Sequence, residues 1–436
     1  MRDYLDINYW TDFFTGTAAR KRLTENFISL SVLQGLNYLL PLITLPYLVR
    51  VLGPEKFGLI AFAQAFTGYF QILTDYGFNL SATREISIHR EDKQKVNEIF
   101  SSVMTIKIFL CIISFLLLSL FLIFIPRFRS DWLVYLFSFG IVVGNVLFPV
   151  WFFQGIERMK YITILNIISK VIFTICIFIV IRKSSDYLYV PLLNSLGYII
   201  AGLLSLKIVF KNFYVVFLKL SLNSYIKQLK DGLYLFIGTI GVNFYKNNSV
   251  IILGLLTNNI IVGYFSIAKK IIDILNQIAV LISQVLFPYI SKIINQDIEK
   301  SLRLLKKIGA GIFTYTSFIG IIFLIFPGLI IKIVTGNSYY ESILSLKIMA
   351  FVPLFIGANV PAVQILLSKG FYKQYSAIIL KGALLDIIIN LSLVPFLSYI
   401  GSCISTIVVE LFVTIYLIIK CYKLKVLESI AQNKFT

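Results

Sequence analysis

Several charged side chains lie inside long apolar segments of the sequence. Lys246 falls in one such segment, and Lys269, Lys270 and Asp273 fall in the next. A charge near the middle of a lipid-embedded helix costs about 2.5 to 3.5 kcal/mol on insertion scales, so such residues face a protein interior or a polar cavity. Asp273 can pair with Lys269 or Lys270 at helical spacing, which still leaves an excess of positive charge. The pattern predicts either a salt-bridge cluster between two helices or a cationic lining for an anionic ligand.

Uncharged polar side chains recur at helical spacing along four apolar segments, which places them on one face of each helix. Gln34 and Asn37 lie on the first segment, Gln71 on the second and Asn243 on the seventh. A polar stripe of this kind avoids lipid and faces the interior of a helix bundle. We predict that seven residues of these segments bind the ligand: Lys246, Lys270, Lys269, Asn243, Asn37, Gln34 and Gln71.

Three carboxylates in the apolar segments are candidates for ion coupling or gating: Asp75, Asp273 and Asp386. Asp75 is either a gate or cation site, or a structural partner, for example of Arg84. Asp386 forms a second polar group with Glu410 of the twelfth segment, and buried acidic side chains need a partner or a proton. That group has either a structural role or a role in coupling to protons or sodium ions.

The composition indicates which elements hold these residues. Of the 436 residues, 58% are hydrophobic and 14% are charged, and the mean hydropathy is +0.86. Soluble globular chains carry about 25% charged residues, so this chain is not an ordinary soluble protein. Helices are the expected elements, because each unpaired backbone group in hydrocarbon costs several kcal/mol.

Two kinds of site are excluded by residue types that are scarce in the sequence. His89 is the only histidine, and the four cysteines include no Cys-x-x-Cys pair, which argues against a zinc site. The chain contains no Gly-x-x-x-x-Gly-Lys-[Ser/Thr] phosphate loop and no Gly-Lys dipeptide. We therefore expect no metal and no nucleotide cofactor.

Apolar runs predict an all-α integral membrane protein with twelve helices that each cross a ~30 Å hydrocarbon core. The predicted spans are 24–50, 57–82, 96–125, 132–154, 160–181, 189–210, 229–255, 261–290, 303–326, 344–368, 374–397 and 400–421. They divide the chain into a tail (1–23), an N-terminal six-helix bundle (24–210), a linker (211–228), a C-terminal six-helix bundle (229–421) and a second tail (422–436).

The positive charges orient these spans. With twelve spans, the side that holds both termini receives 26 of the 40 lysines and arginines, and the other side receives 7. The positive-inside rule then places both termini, and the linker, in the cytoplasm. The net charge of +19 needs no nucleic acid partner, because the basic loops are expected to contact anionic lipid headgroups.

A weak internal repeat relates the two halves of the sequence. At an offset of 205 residues, the segment that begins at Gly58 matches the segment that begins at Gly263. Repeats in the same orientation form two bundles related by a pseudo-two-fold axis along the membrane normal, and such transporters bind substrate between the bundles.

Three motifs are similar to those of a known family. They are Tyr47-Leu-Val-Arg-Val-Leu-Gly-Pro-Glu-Lys-Phe-Gly58, Asp75-Tyr-Gly-Phe-Asn-Leu-Ser-Ala-Thr-Arg84-Glu-Ile and Trp151-Phe-Phe-Gln-Gly-Ile-Glu157-Arg-Met-Lys. Together they resemble the Wzx-type O-antigen and polysaccharide repeat-unit flippases. These proteins belong to the superfamily of multidrug, oligosaccharidyl-lipid and polysaccharide exporters.

The resemblance implies a function and a shape. It implies that the protein is not an enzyme but moves an undecaprenyl-pyrophosphate-linked oligosaccharide from the inner to the outer leaflet of the bacterial cytoplasmic (inner) membrane by alternating access. It also implies a V-shaped pair of bundles around a central cavity lined by the first, second, seventh and eighth spans. Proton or sodium coupling and an association with the polysaccharide polymerase machinery are compatible with this function.

Two alternatives remain open. A small-molecule antiporter of the same superfamily is disfavoured, because an exporter of organic cations needs an acidic lining and this one is basic. A membrane polymerase or ligase is disfavoured, because the longest outer loop covers only 327–343.

The predicted topology is tested by cysteine labelling. We expect a cysteine at Asn258 to react with a membrane-impermeant reagent added outside intact cells, and a cysteine at Asn433 to be protected. Protection at Asn258 together with labelling at Asn433 would reverse the orientation.

Overall fold

The computed structural model describes residues 18–294 and 298–432. Side chains are described from residue 33 to residue 423, apart from residues 38, 234, 238, 239, 242, 243, 246, 288, 292 and 295–300. Within these ranges the regular elements are helices. The first half contains α1 (Ala18–Asp75), α2 (Phe78–His89), α3 (Lys93–Phe124), α4 (Pro126–Arg129), α5 (Trp132–Leu147), α6 (Val150–Gly155), α7 (Lys160–Val180), a 3-10 turn (Ser184–Leu188) and α8 (Tyr189–Asn212).

The regular elements described in the second half are also helices. It contains α9 (Leu222–Leu256), α10 (Asn259–Ile294), α11 (Ile298–Ile325), α12 (Pro327–Thr335), α13 (Tyr340–Ile348), a 3-10 turn (Met349–Phe351), α14 (Val352–Ser368), α15 (Tyr372–Leu397) and α16 (Tyr399–Gln432).

Ten helices in the described part of the chain are long and apolar enough to cross a membrane. One of them runs over Leu33–His89 and contains two of the predicted spans. The predicted span 229–255 lies within α9 (Leu222–Leu256), and the apolar stretch Asn247–Leu256 is the part of it that follows the last side chain outside the described residues. The all-α, multi-pass membrane character is therefore confirmed, whereas the count of twelve spans and the two-bundle arrangement stay predictions.

Glycine and proline interrupt several predicted helices. Within α1 the chain leaves helical geometry at Gly53 (φ 73°), which separates the first two predicted spans. The predicted helix 57–82 is broken after Asp75, where Tyr76 and Gly77 both have positive φ. The predicted helix 132–154 is divided before Pro149, since a proline disfavours helical geometry in the residue that precedes it.

The described residues group into two compact units. The first unit comprises residues 18–40, Thr67–Val180 and Leu188–Ile237. The second comprises Pro41–Phe66, Ile181–Tyr187 and residues 238–294 and 298–432. The predicted division at the linker 211–228 stays a prediction.

An aromatic cluster forms the core of the first unit. Trp151, Phe152 and Phe153 of the third motif are fully buried, and Phe100 of α3 packs against the first two with ring centroids 5.6 and 5.7 Å away. Offset and edge-to-face rings add about 0.5 to 1.5 kcal/mol each beyond their buried area. This motif therefore stabilises the fold of the first unit.

Two glycines allow a close helix contact in the second unit. A Cβ atom at Gly58 would overlap the backbone of Asn259 and Gly263, and a Cβ atom at Gly263 would overlap the carbonyl group of Pro54. Small residues let helix backbones approach closely in membrane proteins. The two positions are the ones that the 205-residue offset matches, so the repeat places a small residue on both sides of one crossing.

This contact predicts that Gly58→Ala destabilises the protein by about 1 to 3 kcal/mol, the typical effect of overpacking. Gly68→Ala is the matched control, because a Cβ atom at Gly68 meets nothing within 4 Å and alanine favours a helix over glycine by up to about 1 kcal/mol. Thermal unfolding in detergent measures both variants. Equal melting temperatures would show that the helices separate easily at Gly58.

Candidate functional site

Asp75 of the first unit is part of a buried charge cluster. Lys107 of α3 donates a hydrogen bond from Nζ to Asp75 Oδ1 at 2.9 Å, and Asn145 of α5 donates from Nδ2 to the same oxygen at 3.0 Å. The Lys107 side chain is 1% exposed. Arg84, the partner suggested from the sequence, is instead exposed on α2. The carboxylate thus neutralises a lysine that would otherwise be buried without a counter-charge.

Sequence reasoning passed over Lys107 and Asn145. A signal existed, because Lys107 is the one charged residue in the apolar stretch from Ile99 to Phe124. This signal could not identify Asp75 as the partner, since Asp75 and Lys107 are 32 residues apart and meet only when α1 and α3 pack.

The predicted residues on α1 point away from the exposed apolar face of that helix. Gln34 and Asn37 are half-buried, and Leu39 and Ile43, both more than half exposed, lie on the opposite side. Asn37 Oδ1 accepts a hydrogen bond of 2.5 Å from Lys170 Nζ of α7. Lys170 is a second residue that sequence reasoning passed over. Gln71, further along α1, is also half-buried.

Lys269 and Lys270 of the second unit differ in their surroundings. Lys269 pairs with Asp273 one helical turn away, with 3.5 Å between Nζ and Oδ2, so the predicted pairing of Asp273 involves the first of the two lysines. Lys270 Nζ lies 5.6 Å from the centre of the Phe57 ring, a cation–π contact. The side chains of the predicted residues Asn243 and Lys246 lie outside the described residues.

Asp386 of α15 is the centre of a dense polar network in the second unit. The side chain is 2% exposed. Its oxygens accept hydrogen bonds from Asn248 (3.1 Å), Ser249 (3.2 Å), Asn390 (2.8 Å) and Ser405 (2.6 Å). The described side chains place no lysine or arginine within 4 Å of this carboxylate. The network therefore satisfies its hydrogen bonds without a fixed positive charge.

This network can hold a cation or a proton. Carboxylate, amide and hydroxyl oxygens are the ligands that hard cations prefer. A carboxyl group buried without a basic partner can also bind a proton, because burial disfavours its charged form. Glu410 of α16, which the sequence analysis groups with Asp386, hydrogen-bonds Tyr245 of α9.

Two charged residues of the motifs, Arg50 and Glu157, contact other helices. Arg50 donates hydrogen bonds to the carbonyl groups of Ile333 and Val334 (3.3 Å for the latter), at the C-terminal end of α12. A cation favours this end of a helix, because the helix dipole is negative there. Glu157 pairs with Arg90 at 3.0 Å. These residues therefore join helix ends within each unit.

Comparison with protein families and sequences gives a consistent result. The family model described as "Polysaccharide biosynthesis protein" matches residues 23–294. A protein of Escherichia coli (strain K12) with the name "Putative O-antigen transporter" is 33% identical over 393 residues, which is 90% of this chain and 95% of the relative. A protein of the same name from Shigella dysenteriae is 28% identical over 399 residues, which is 91% of this chain and 99% of the relative.

Solved structures share the fold. The lipid II flippase MurJ in an inward closed conformation superposes with a TM-score of 0.72 at 13% identity, over 89% of this chain and 86% of that chain. A multidrug resistance MATE family transporter of the MOP superfamily in an inward-facing conformation gives 0.65 at 12% identity, over 91% and 99%. The family model covers more than half of the chain and confirms the resemblance of the motifs, and so this chain belongs to the polysaccharide biosynthesis protein family.

Proposed function

We propose that this protein is a flippase that moves a lipid-linked oligosaccharide repeat unit from the inner to the outer leaflet of the bacterial cytoplasmic membrane by alternating access. The observation that carries the proposal is the relative from Escherichia coli, which matches this chain almost from end to end and is named for O-antigen transport. The shared fold with a lipid II flippase supports transport of a large lipid-linked substrate. In this proposal both termini are cytoplasmic and the polysaccharide polymerase machinery receives the product.

The lipid carrier in this proposal is undecaprenyl pyrophosphate. A pyrophosphate diester carries about two negative charges, and charge-assisted hydrogen bonds to phosphate are about twice as strong as neutral ones. Lys270 is suited to this contact, because the described side chains place no carboxylate within 4 Å of its ammonium group. Lys269 contributes less, since Asp273 already pairs with it.

The alternative of an organic-cation antiporter is less well supported. Such a substrate needs a free carboxylate. Asp75 and Asp273, the two carboxylates on polar stripes of α1 and α10, each have a lysine within 4 Å. Asp386 is 2% exposed and enclosed by four hydrogen-bond donors, which leaves room for a proton or a small ion and not for an organic cation.

Membrane potential and an ion gradient are the energy sources of the proposed transport. Moving two negative charges outward through an inside-negative potential of about 100 mV releases about 4 to 5 kcal/mol if the full field is crossed. Within this proposal the Asp386 network binds the coupling proton or sodium ion, because among the three candidate carboxylates Asp386 has no lysine or arginine within 4 Å in the part of the chain whose side chains are described.

The function predicts the phenotype of a deletion strain. Without this gene we expect the lipid-linked repeat unit to accumulate in the inner leaflet and surface polysaccharide to be lost, as measured by lipid extraction and by gel analysis of the polysaccharide. Wild-type protein restores export, Lys270→Gln restores less than a tenth of it, and Lys381→Gln, at an exposed lysine of α15, restores it fully.

Two outcomes contradict this reading. Normal surface polysaccharide in the deletion strain overturns the flippase assignment. Full export by a Lys270→Gln protein that inserts normally overturns the role of Lys270 and leaves the assignment standing.

Ion coupling predicts the behaviour of Asp386→Asn. In proteoliposomes without a membrane potential, we expect a proton or sodium gradient to accelerate flipping by the wild type and to have no effect on Asp386→Asn. Glu91→Gln is the control, because its side chain is 92% exposed and lies outside the apolar segments, and it keeps the gradient dependence. Gradient dependence that persists in Asp386→Asn would falsify the coupling role.

A further inference from the structure

Helix α7 has two distinct faces. Five isoleucines lie within a narrow arc of its surface and are about half exposed or more: Ile164, Ile168, Ile172, Ile175 and Ile179. Three polar residues, Asn166, Lys170 and Thr174, follow one another at steps of four on the opposite side. At 3.6 residues per turn this arrangement directs the isoleucines to lipid and the polar stripe to the protein interior.

Lys170 on this stripe has no counter-charge in the described structure. Its side chain is half-buried, and its Nζ donates a hydrogen bond to Asn37 Oδ1 of α1. The described side chains place no carboxylate within 4 Å of this ammonium group. Asn37 is neutral, so it positions the ammonium group without cancelling the charge.

Two other lysines inside the described helices do have a carboxylate as counter-charge. Lys107 in the same unit has Asp75 at 2.9 Å, and Lys269 has Asp273 at 3.5 Å. Lys170 and Lys270 have neither, and one of them lies in each unit. A charge held at this depth without a partner is costly, and it is retained where a ligand or water compensates it.

We propose that Lys170, positioned by Asn37, is a further substrate-binding residue that contacts a phosphate oxygen of the lipid diphosphate. This inference rests on the proposed function and adds a phosphate contact in the first unit. An ammonium group has three N–H donors, and the bond to Asn37 uses one. The remaining two are available for phosphate oxygens.

The structure offers a substitution that separates binding from structure. Asn37→Asp places a carboxylate where the neutral amide now accepts the hydrogen bond from Lys170. If the lysine only joins α1 to α7, the new ion pair leaves ligand binding unchanged. If the lysine binds phosphate, its charge is neutralised and binding weakens although the lysine is still present.

The experiment measures binding of farnesyl diphosphate, with farnesol as the uncharged probe, to the full chain in lipid nanodiscs. We expect Lys170→Gln and Asn37→Asp each to weaken farnesyl diphosphate binding at least tenfold, which corresponds to about 1.4 kcal/mol. Lys170→Arg keeps the affinity within about threefold, and Lys381→Gln leaves it unchanged. Farnesol binding is the same in all variants.

The outcomes also separate this inference from the proposed function. Wild-type affinity in Asn37→Asp overturns the inference, even if Lys170→Gln fails to fold. Retained binding in Lys170→Gln, together with lost binding in Lys270→Gln, overturns the role of Lys170 and leaves the flippase assignment intact. Equal affinity of the wild type for farnesol and farnesyl diphosphate overturns any phosphate contact, while the deletion strain reports separately on the flippase function.

Discussion

An ammonium or carboxylate group inside an apolar helix needs a counter-charge, a set of hydrogen-bond donors or acceptors, water or a ligand, because hydrocarbon provides none of these. The described helices show three different situations. Asp75 and Lys107 compensate each other, and Asp386 is surrounded by amide and hydroxyl groups. Lys170 and Lys270 are left with a neutral amide and an aromatic ring. The candidate functions follow from these differences, since an uncompensated cation suits an anionic ligand and an isolated carboxyl group suits a small cation or a proton.

Backbone geometry determines which neighbouring helices the Asp75 side chain can reach. Asp75 ends α1, directly before the two positive-φ residues Tyr76 and Gly77, so that its side chain reaches the neighbouring α3 and α5. A Cβ atom at Gly77 would lie within 3.0 Å of the backbone of Gly232, at the start of the apolar part of α9. The break therefore combines a conformation that glycine favours with a contact that tolerates no side chain. The second motif, which begins at Asp75, therefore accounts for this helix break more than for a ligand site.

The Asp386 network combines the consecutive helices α15 and α16 with α9, which lies more than 100 residues earlier in the sequence. Asn248 and Ser249 come from α9, Asn390 from α15, and Ser402 and Ser405 from α16. Ser402 donates to Asn390 Oδ1 at 2.8 Å, and this bond orients the amide that in turn donates to Asp386. Such second-layer contacts hold the primary oxygens in place, and the loss of one of them typically weakens a metal site by 10- to 100-fold.

The sequence by itself determined that this protein is surrounded largely by lipid and that its regular elements are helices. The low charge content and the repeated apolar runs required helices in lipid, and the three motifs identified the family. Composition and short motifs are local properties of the chain, so they can be read without knowing how the helices pack. The spacing of Asp273 after Lys269 likewise predicted an ion pair, since one helical turn brings them together. The partners of Asp75, Asp386 and Lys170 were decided only by the tertiary structure. Apart from Asn390, which lies one helical turn from Asp386, these contacts join residues between 19 and 138 positions apart. Helical periodicity specifies which face a residue occupies but not which helix packs against that face.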